Sequence, residues 1–147
     1  MPDKALLLSI RPEFADKIFK GEKTAELRRR RPRVNKGDWV YVYVASPVKV
    51  LRGAFRVAKV IDDVPNRLWR KVRRIAGVTR QQFDRYFEGA ERAFAILLEE
   101  VRHLAQSVDL TWLRKKWPGF RPPQSYRYVP ISKLPPLKPT HARRTSP

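Results

Sequence analysis

The chain has 147 residues and a mass of 17.3 kDa, the size of one domain with a full hydrophobic core and little room for a second. Thirty-three lysines and arginines against 14 acidic residues give a formal net charge of +19. The natural partner is therefore a polyanion, with nucleic acid ahead of an anionic membrane, because neutralised phosphates release condensed counterions and give strong, salt-sensitive affinity.

Cysteine is absent, which excludes disulfides and thiolate metal sites, and the two histidines, His103 and His141, are a poor basis for a metal centre. The longest apolar run, Ala93 to Leu98, is far short of the roughly 20 residues that a bilayer span needs. The start Met1-Pro2-Asp3-Lys4 lacks the apolar stretch of a secretory signal. These features lead us to expect a cytoplasmic protein with no cofactor, no metal and no membrane attachment. The oligomeric state is not legible.

Leu6-Leu7-Leu8-Ser9-Ile10 is an apolar run of strand length, and Arg11-Pro12 sets a proline where a helix can begin. Phe14, Ala15, Ile18 and Phe19 then share one helical face opposite Glu13, Asp16, Lys17 and Lys20, and Gly21 can supply a left-handed cap. From Thr24 the pattern alternates: Ala25 and Leu27 fall on one face of a strand, Thr24, Glu26 and Arg28 on the other. Lys23 has the opposite parity, and a bulge or curvature at the first strand position would be needed to turn it toward the same side. Arg28-Arg29-Arg30-Arg31-Pro32-Arg33 leads out of this strand, and so many neighbouring guanidinium groups repel one another unless anions compensate.

Asn35-Lys36-Gly37-Asp38 reads as a turn, followed by a strand from Trp39 to Val44 with valines on one face and Trp39, Tyr41 and Tyr43 on the other. That aromatic face could stack on bases, but core packing is the better reading. Leu51 to Ile61 is a further strand interrupted by Gly53. After Pro65 the period becomes helical, with Leu68, Trp69, Val72 and Ile75 on one stripe and a basic remainder that includes Arg70 and Arg74.

Gly77 stops that helix. Thr79-Arg80-Gln81-Gln82 then has the form of a capping box opening a second helix, which is expected to bury Phe83, Tyr86 and Phe87. Ala93 to Val101 returns to strand, Asp109 can cap a short helix carrying Leu110, Leu113 and Trp117, and Tyr126 to Val129 is a last strand. The domain is expected over residues 1–129. Residues 130–147, rich in proline and ending near Arg143-Arg144, read as an extended or disordered basic tail.

The fold class is α+β. A small, partly closed mixed barrel of about five or six strands with flanking helices suits strands that look buried on both faces. Leu8-Ser9-Ile10-Arg11-Pro12, Phe14-Ala15, Ile18 and then Gly21-x-Lys23-Thr24-x-Glu26-x-Arg28 resemble the ASCH domain, a PUA-like barrel, and with Gly37-Asp38 and Gly53 the resemblance covers Ala5 to Leu104. It implies a cleft beside the helix lined by Lys23, Glu26 and Arg28, and a function in binding RNA or another nucleic acid. Lys23, Glu26 and Arg28 would then form the specificity pocket, with Thr24 also among the nucleic-acid-binding residues, and Arg29, Arg30, Arg31, Arg33, Arg70 and Arg74 would contact phosphates.

Two enzymatic alternatives stand beside this reading, the first from the same resemblance and the second from the residues themselves. In similar small bacterial amidohydrolases acting on acylated cytidine, a lysine at the Lys23 position works with a threonine nucleophile. Here Glu26 stands in the nucleophile's place, which counts against that chemistry. A ribonuclease would use Lys23 or Arg28 to offset phosphorane charge, with Tyr126 or Ser125 as proton carrier, since His103 near a strand end and His141 in the tail form no acid–base pair. A DNA-binding coregulator is the remaining alternative, although no clear helix-turn-helix is present.

Overall fold

A computed structural model describes residues 4–139. Seven apolar-rich residues form β1 (Lys4–Ile10), and the Pro12 ring, already at helical φ, opens α1 (Pro12–Phe19). The remaining elements are β2 (Ala25–Arg28), β3 (Trp39–Val44), β4 (Val50–Asp63), α2 (Pro65–Val72), α3 (Arg80–Tyr86), β5 (Ala93–Asp109), α4 (Leu110–Lys116) and β6 (Tyr126–Pro130). The fold is α+β, as expected. Six strands form one mixed sheet in the order β2-β5-β4-β3-β1-β6, which does not close: β2 and β6 are its edges.

The chain divides into two compact units. One is built from the segment through Pro12, Trp39–Phe55 and the chain from Val101 onward; the other from Glu13–Asp38 and Arg56–Glu100. In the first, β1 pairs parallel with β3, placing Ser9 beside Tyr43, and antiparallel with β6, placing Leu8 beside Tyr126. Its core gathers Ala5, Leu7, Tyr41, Tyr43, Leu113, Phe120 and Val129, so the aromatic face of β3 is core rather than an open platform. In the second, β2 pairs antiparallel with β5, with Glu26 opposite Ile96, and its core joins Ala25, Leu27, Leu68, Val72, Phe83 and Phe87.

The capping box forms as the sequence requires: the Thr79 hydroxyl accepts the Gln82 amide at 3.1 Å and the Gln82 side chain accepts the Thr79 amide at 2.9 Å. Asp109 caps α4 through the Trp112 amide at 2.8 Å.

Four expectations are corrected. First, α2 ends at Val72, so Ile75 lies beyond it, and the Ile75 carbonyl is free to accept the amides of Thr24 and Ala25. Second, Tyr86 is 40% exposed, because Phe83 and Phe87, one turn apart, already occupy the buried face of α3. Third, β5 runs to Asp109 instead of stopping at Val101, which puts His103 inside the strand.

Fourth, residues 130–139 are anchored: Leu134 and Leu137 pack on the first unit's core, Leu137 bridges to Leu104, and the Lys138 amide donates to the His103 carbonyl at 2.8 Å. These two leucines supply apolar burial that the proline-rich composition hides. The rest of the expected tail, with His141, Arg143 and Arg144, lies outside the described residues.

Candidate nucleic-acid interface

Lys23, Glu26 and Arg28 come together in the second unit. Gly21, at φ +81°, turns the chain out of α1, and the amides of Glu22 and Lys23 donate to the Lys17 carbonyl. β2 begins only at Ala25, so Lys23 is not bound by strand parity, and its ammonium lies 3.7 Å from Glu26 Oε1. Arg28 reaches the other carboxylate oxygen, with Nη2 at 2.8 Å and Nε at 3.2 Å from Oε2.

Lys23 is 3% exposed and Glu26 6%. The Lys23 ammonium also donates to the Ala76 carbonyl and sits 5.5 Å from the centre of the Phe14 ring. Burial lowers its pKa below the ordinary 10.5, opposed by Glu26. Lys17 makes a parallel arrangement next door, donating to the Gly77 carbonyl at 2.9 Å. Thr24 is half-buried and held through its backbone, its carbonyl accepting the Leu98 amide.

The arginine run is not one uniform phosphate surface. Arg29 donates to the carbonyls of Tyr86 and Glu88 at the end of α3, at 2.8 and 3.0 Å. Arg31 pairs with Asp62 at 3.0 Å, and Asp62 also takes Arg92 at 2.8 Å. Arg30 and Arg33 are exposed. On the basic helix, Asp63 draws in Lys71 at 2.9 Å and Arg67 at 3.7 Å, whereas Arg70 and the following Arg73 and Arg74 remain exposed. Tyr86, which sequence reasoning assigned to the core, hydrogen-bonds the Leu27 carbonyl through its hydroxyl at 3.3 Å while its ring stays partly exposed. Burial of that hydroxyl raises its pKa, and the Arg28 charge acts in the opposite sense.

A second constellation lies in the first unit. Ser9 is the register partner of Tyr43, and the Ser9 amide donates to the Ser125 carbonyl at 3.0 Å, so β3, β1 and the chain entering β6 carry three hydroxyl residues in one row. The Ser9 hydroxyl donates to the Pro123 carbonyl. Tyr43 is 2% exposed, and its hydroxyl has no hydrogen-bond partner among the described residues. Burial raises its pKa above the ordinary 10.0, with Arg114 pulling it back.

Arg114 and Arg127 flank this core: Arg114 Nε donates to the Phe120 carbonyl at 3.3 Å, and Arg127 lies over the Trp117 ring at 5.2 Å. Lys49, in the turn after β3, holds a left-handed φ of 56°, a conformation that costs a non-glycine residue energy. Of the two predicted proton carriers, Ser125 belongs to this row. Tyr126, one residue on, alternates to the opposite face, where it packs edge-on against Tyr128. Sequence reasoning missed Tyr43 because an aromatic strand face signals burial, not the missing partner of a hydroxyl.

Among the described residues no three histidine or carboxylate groups gather as metal ligands would, and no helix is long and apolar enough to cross a membrane.

The α+β sheet with a Lys-x-x-Glu-x-Arg segment after its first strand and helix defines a PUA-like domain. The chain belongs to the ASCH domain family, whose profile matches residues 8–108. It is 35% identical over 130 residues to a Zymomonas mobilis protein named ASCH domain-containing ribonuclease, across 88% of this chain and 87% of that one. The crystal structure of ASCH from Zymomonas mobilis matches with a TM-score of 0.83 at 32% identity, covering 90% of this chain and 92% of that one.

Crystal structures of a tyrosine-to-phenylalanine and a serine-to-alanine mutant of that protein match with a TM-score of 0.82. The N-terminal domain of McrB from Staphylothermus marinus shares the fold alone, with a TM-score of 0.54 at 15% identity over 86% of this chain and 87% of that one.

Proposed function

We propose that this protein binds RNA and cleaves it as a ribonuclease. The observation that carries the reading is the buried Tyr43 hydroxyl, without a hydrogen-bond partner among the described residues, in the row with Ser9 and Ser125. Leaving a buried hydroxyl unpaired costs about 1–3 kcal/mol, a cost that a ligand oxygen would remove. A phosphate oxygen of bound RNA is such an acceptor, and the net charge of +19 favours the encounter.

The raised pKa keeps Tyr43 protonated at neutral pH, so it acts as a hydrogen-bond donor and not as a base. In this reading the 2′-oxygen of RNA attacks the adjacent phosphorus and loses its proton to water. The bond to the 5′-oxygen breaks, and that oxygen takes a proton from water, leaving a 2′,3′-cyclic phosphate and a 5′-hydroxyl end. Tyr43 donates to the phosphoryl oxygen on which charge develops, and the Arg114 cation, whose charge already acts on Tyr43, offsets that charge. Ser125 positions the phosphate.

Two further points support this assignment. A relative of 35% identity is named a ribonuclease, and the residue types replaced in the two mutant relatives, tyrosine and serine, are the types gathered here.

The Lys23, Glu26 and Arg28 cluster takes a different part in this reading. Its charges are mutually paired and largely buried, so it fixes the start of β2 and offers the Arg28 edge, with Thr24 and Tyr86 beside it, as a base-recognition surface. Phosphate contacts fall to the exposed Arg30, Arg70 and Arg74 more than to Arg29 and Arg31, which already have internal partners.

Incubating the purified protein with end-labelled single-stranded RNA and, separately, with acylated nucleosides tests the reading. Cyclic-phosphate fragments are expected from RNA, and no deacylation. Deacylation without RNA cleavage would point to amidohydrolase chemistry, and tight binding without turnover to a pure binding module.

A further inference from the structure

A cavity of about 320 Å³ opens in the first unit between the end of β5 and the proline-rich segment that follows β6, and it plays no part in the hydroxyl row. Trp112, Pro135 and Pro136 supply its flat apolar walls, and Gln106, Ser107 and Asp109 its polar edge. The walls are fixed by contacts that need no ligand. The Ala105 amide donates to the Pro136 carbonyl at 3.1 Å and the Lys138 amide to the His103 carbonyl at 2.8 Å, which straps the prolines to β5. The Asp109 cap holds the first turn of α4 and so sets the position of Trp112, which is nevertheless 37% exposed. A large aromatic side chain held open in this way lowers the ordering cost of anything that stacks on it.

We propose that this cavity is a subsite for a single unpaired nucleobase of RNA, stacked on Trp112 between the tryptophan and the two prolines. The inference rests on the RNA reading above and names a recognition element for it. Flat aromatic and proline faces suit the two sides of a base, and the polar edge suits its rim. One Asp109 oxygen is committed to the Trp112 amide, and Asp109 lines the cavity, so its second oxygen remains as an acceptor for an exocyclic amino group.

The Gln106 amide can donate to the neighbouring ring nitrogen. Cytosine and adenine present that donor–acceptor pair; uracil presents a carbonyl where the amino group should be. The flanking phosphates find cations on the same helix: Lys116 Nζ lies 5.7 Å from the Trp112 ring centre, and Lys115 shares its last turn. That charge favours a nucleic-acid strand over a proline-rich peptide as the occupant.

The test is fluorescence anisotropy with short labelled oligo(C), oligo(A) and oligo(U) RNA, using the full chain, Trp112→Ala and Asp109→Asn, each checked for folding by circular dichroism. The wild type should bind oligo(C) and oligo(A) more tightly than oligo(U). Trp112→Ala should weaken oligo(C) binding about ten-fold, the loss of one base–aromatic stack, with the salt dependence unchanged. Asp109→Asn, which keeps a capping oxygen, should narrow the difference between oligo(C) and oligo(U). Trp112→Ala binding as tightly as wild type would overturn the subsite and leave the RNA reading standing. A wild type that binds none of the three would overturn both.

Discussion

Gly77 lies flat against the side chain of Lys23: a Cβ at position 77 would stand 3.0 Å from the Lys23 Cβ and 3.2 Å from its Cγ. Gly77 also holds φ +67°, and the preceding carbonyl, that of Ala76, receives the Lys23 ammonium. The glycine that stops the α2 segment thus also seats the motif lysine. Gly77→Ala is expected to destabilise the fold by about 1–3 kcal/mol, since it adds left-handed strain to a contact that cannot give way at the lysine stem. Urea denaturation checks this, and an unchanged midpoint would contradict it.

The buried ammonium also leaves a signature in the pH dependence of stability. Because burial holds Lys23 below its ordinary 10.5, the unfolded chain binds more protons between the lowered value and 10.5, and stability rises with pH across that window. Tyr41, Tyr43 and Tyr86, all shifted above 10.0, act in the other direction, and their contribution is lost only as pH climbs beyond 10.0. A rising limb on the approach to pH 10.5 is therefore expected in wild type and is expected to be weaker in Lys23→Met. Denaturation midpoints through the alkaline range give the answer, and an identical limb in the variant would remove Lys23 as its source.

Phosphate contacts are distinguishable by their salt dependence. Replacing Arg70 and Arg74, exposed and outside the Asp63 cluster, should flatten the log-affinity against log-salt plot for RNA by about one unit of slope per arginine. Arg29→Ala and Arg31→Ala should leave that slope close to wild type, because those side chains are engaged with the end of α3 and with Asp62. Equal slopes for both pairs of variants would contradict the division.

Much of this fold is written in local pattern. The apolar run before Pro12, the two-faced helix ending at Gly21, the Thr79 capping box and the Asp109 cap all arise from interactions within a few residues, and each forms where the pattern puts it. What local pattern hides depends on distant partners. Residues 102–109 continue β5 although their composition is polar, because only Leu104 and Val108 need to face the core. Leu134 and Leu137 anchor a segment whose prolines suggest freedom.

The candidate site divides in the same way. The Lys23, Glu26 and Arg28 cluster is legible because its members lie within six residues. Tyr43, Ser9 and Ser125 meet only through the register of three strands, and nothing in the neighbourhood of Tyr43 in sequence says that its hydroxyl lacks a partner.

The most direct test of the account is Tyr43→Phe, assayed for stability and RNA cleavage on the same preparation. Removing a buried hydroxyl that has no partner should leave the folded state as stable as wild type or more so, by up to about 1 kcal/mol. Cleavage of single-stranded RNA should fall by about a hundred-fold or more, the usual loss for a hydrogen-bond donor aimed at developing charge, with affinity retained. A Tyr43→Phe protein that cleaves RNA at the wild-type rate would contradict the central claim.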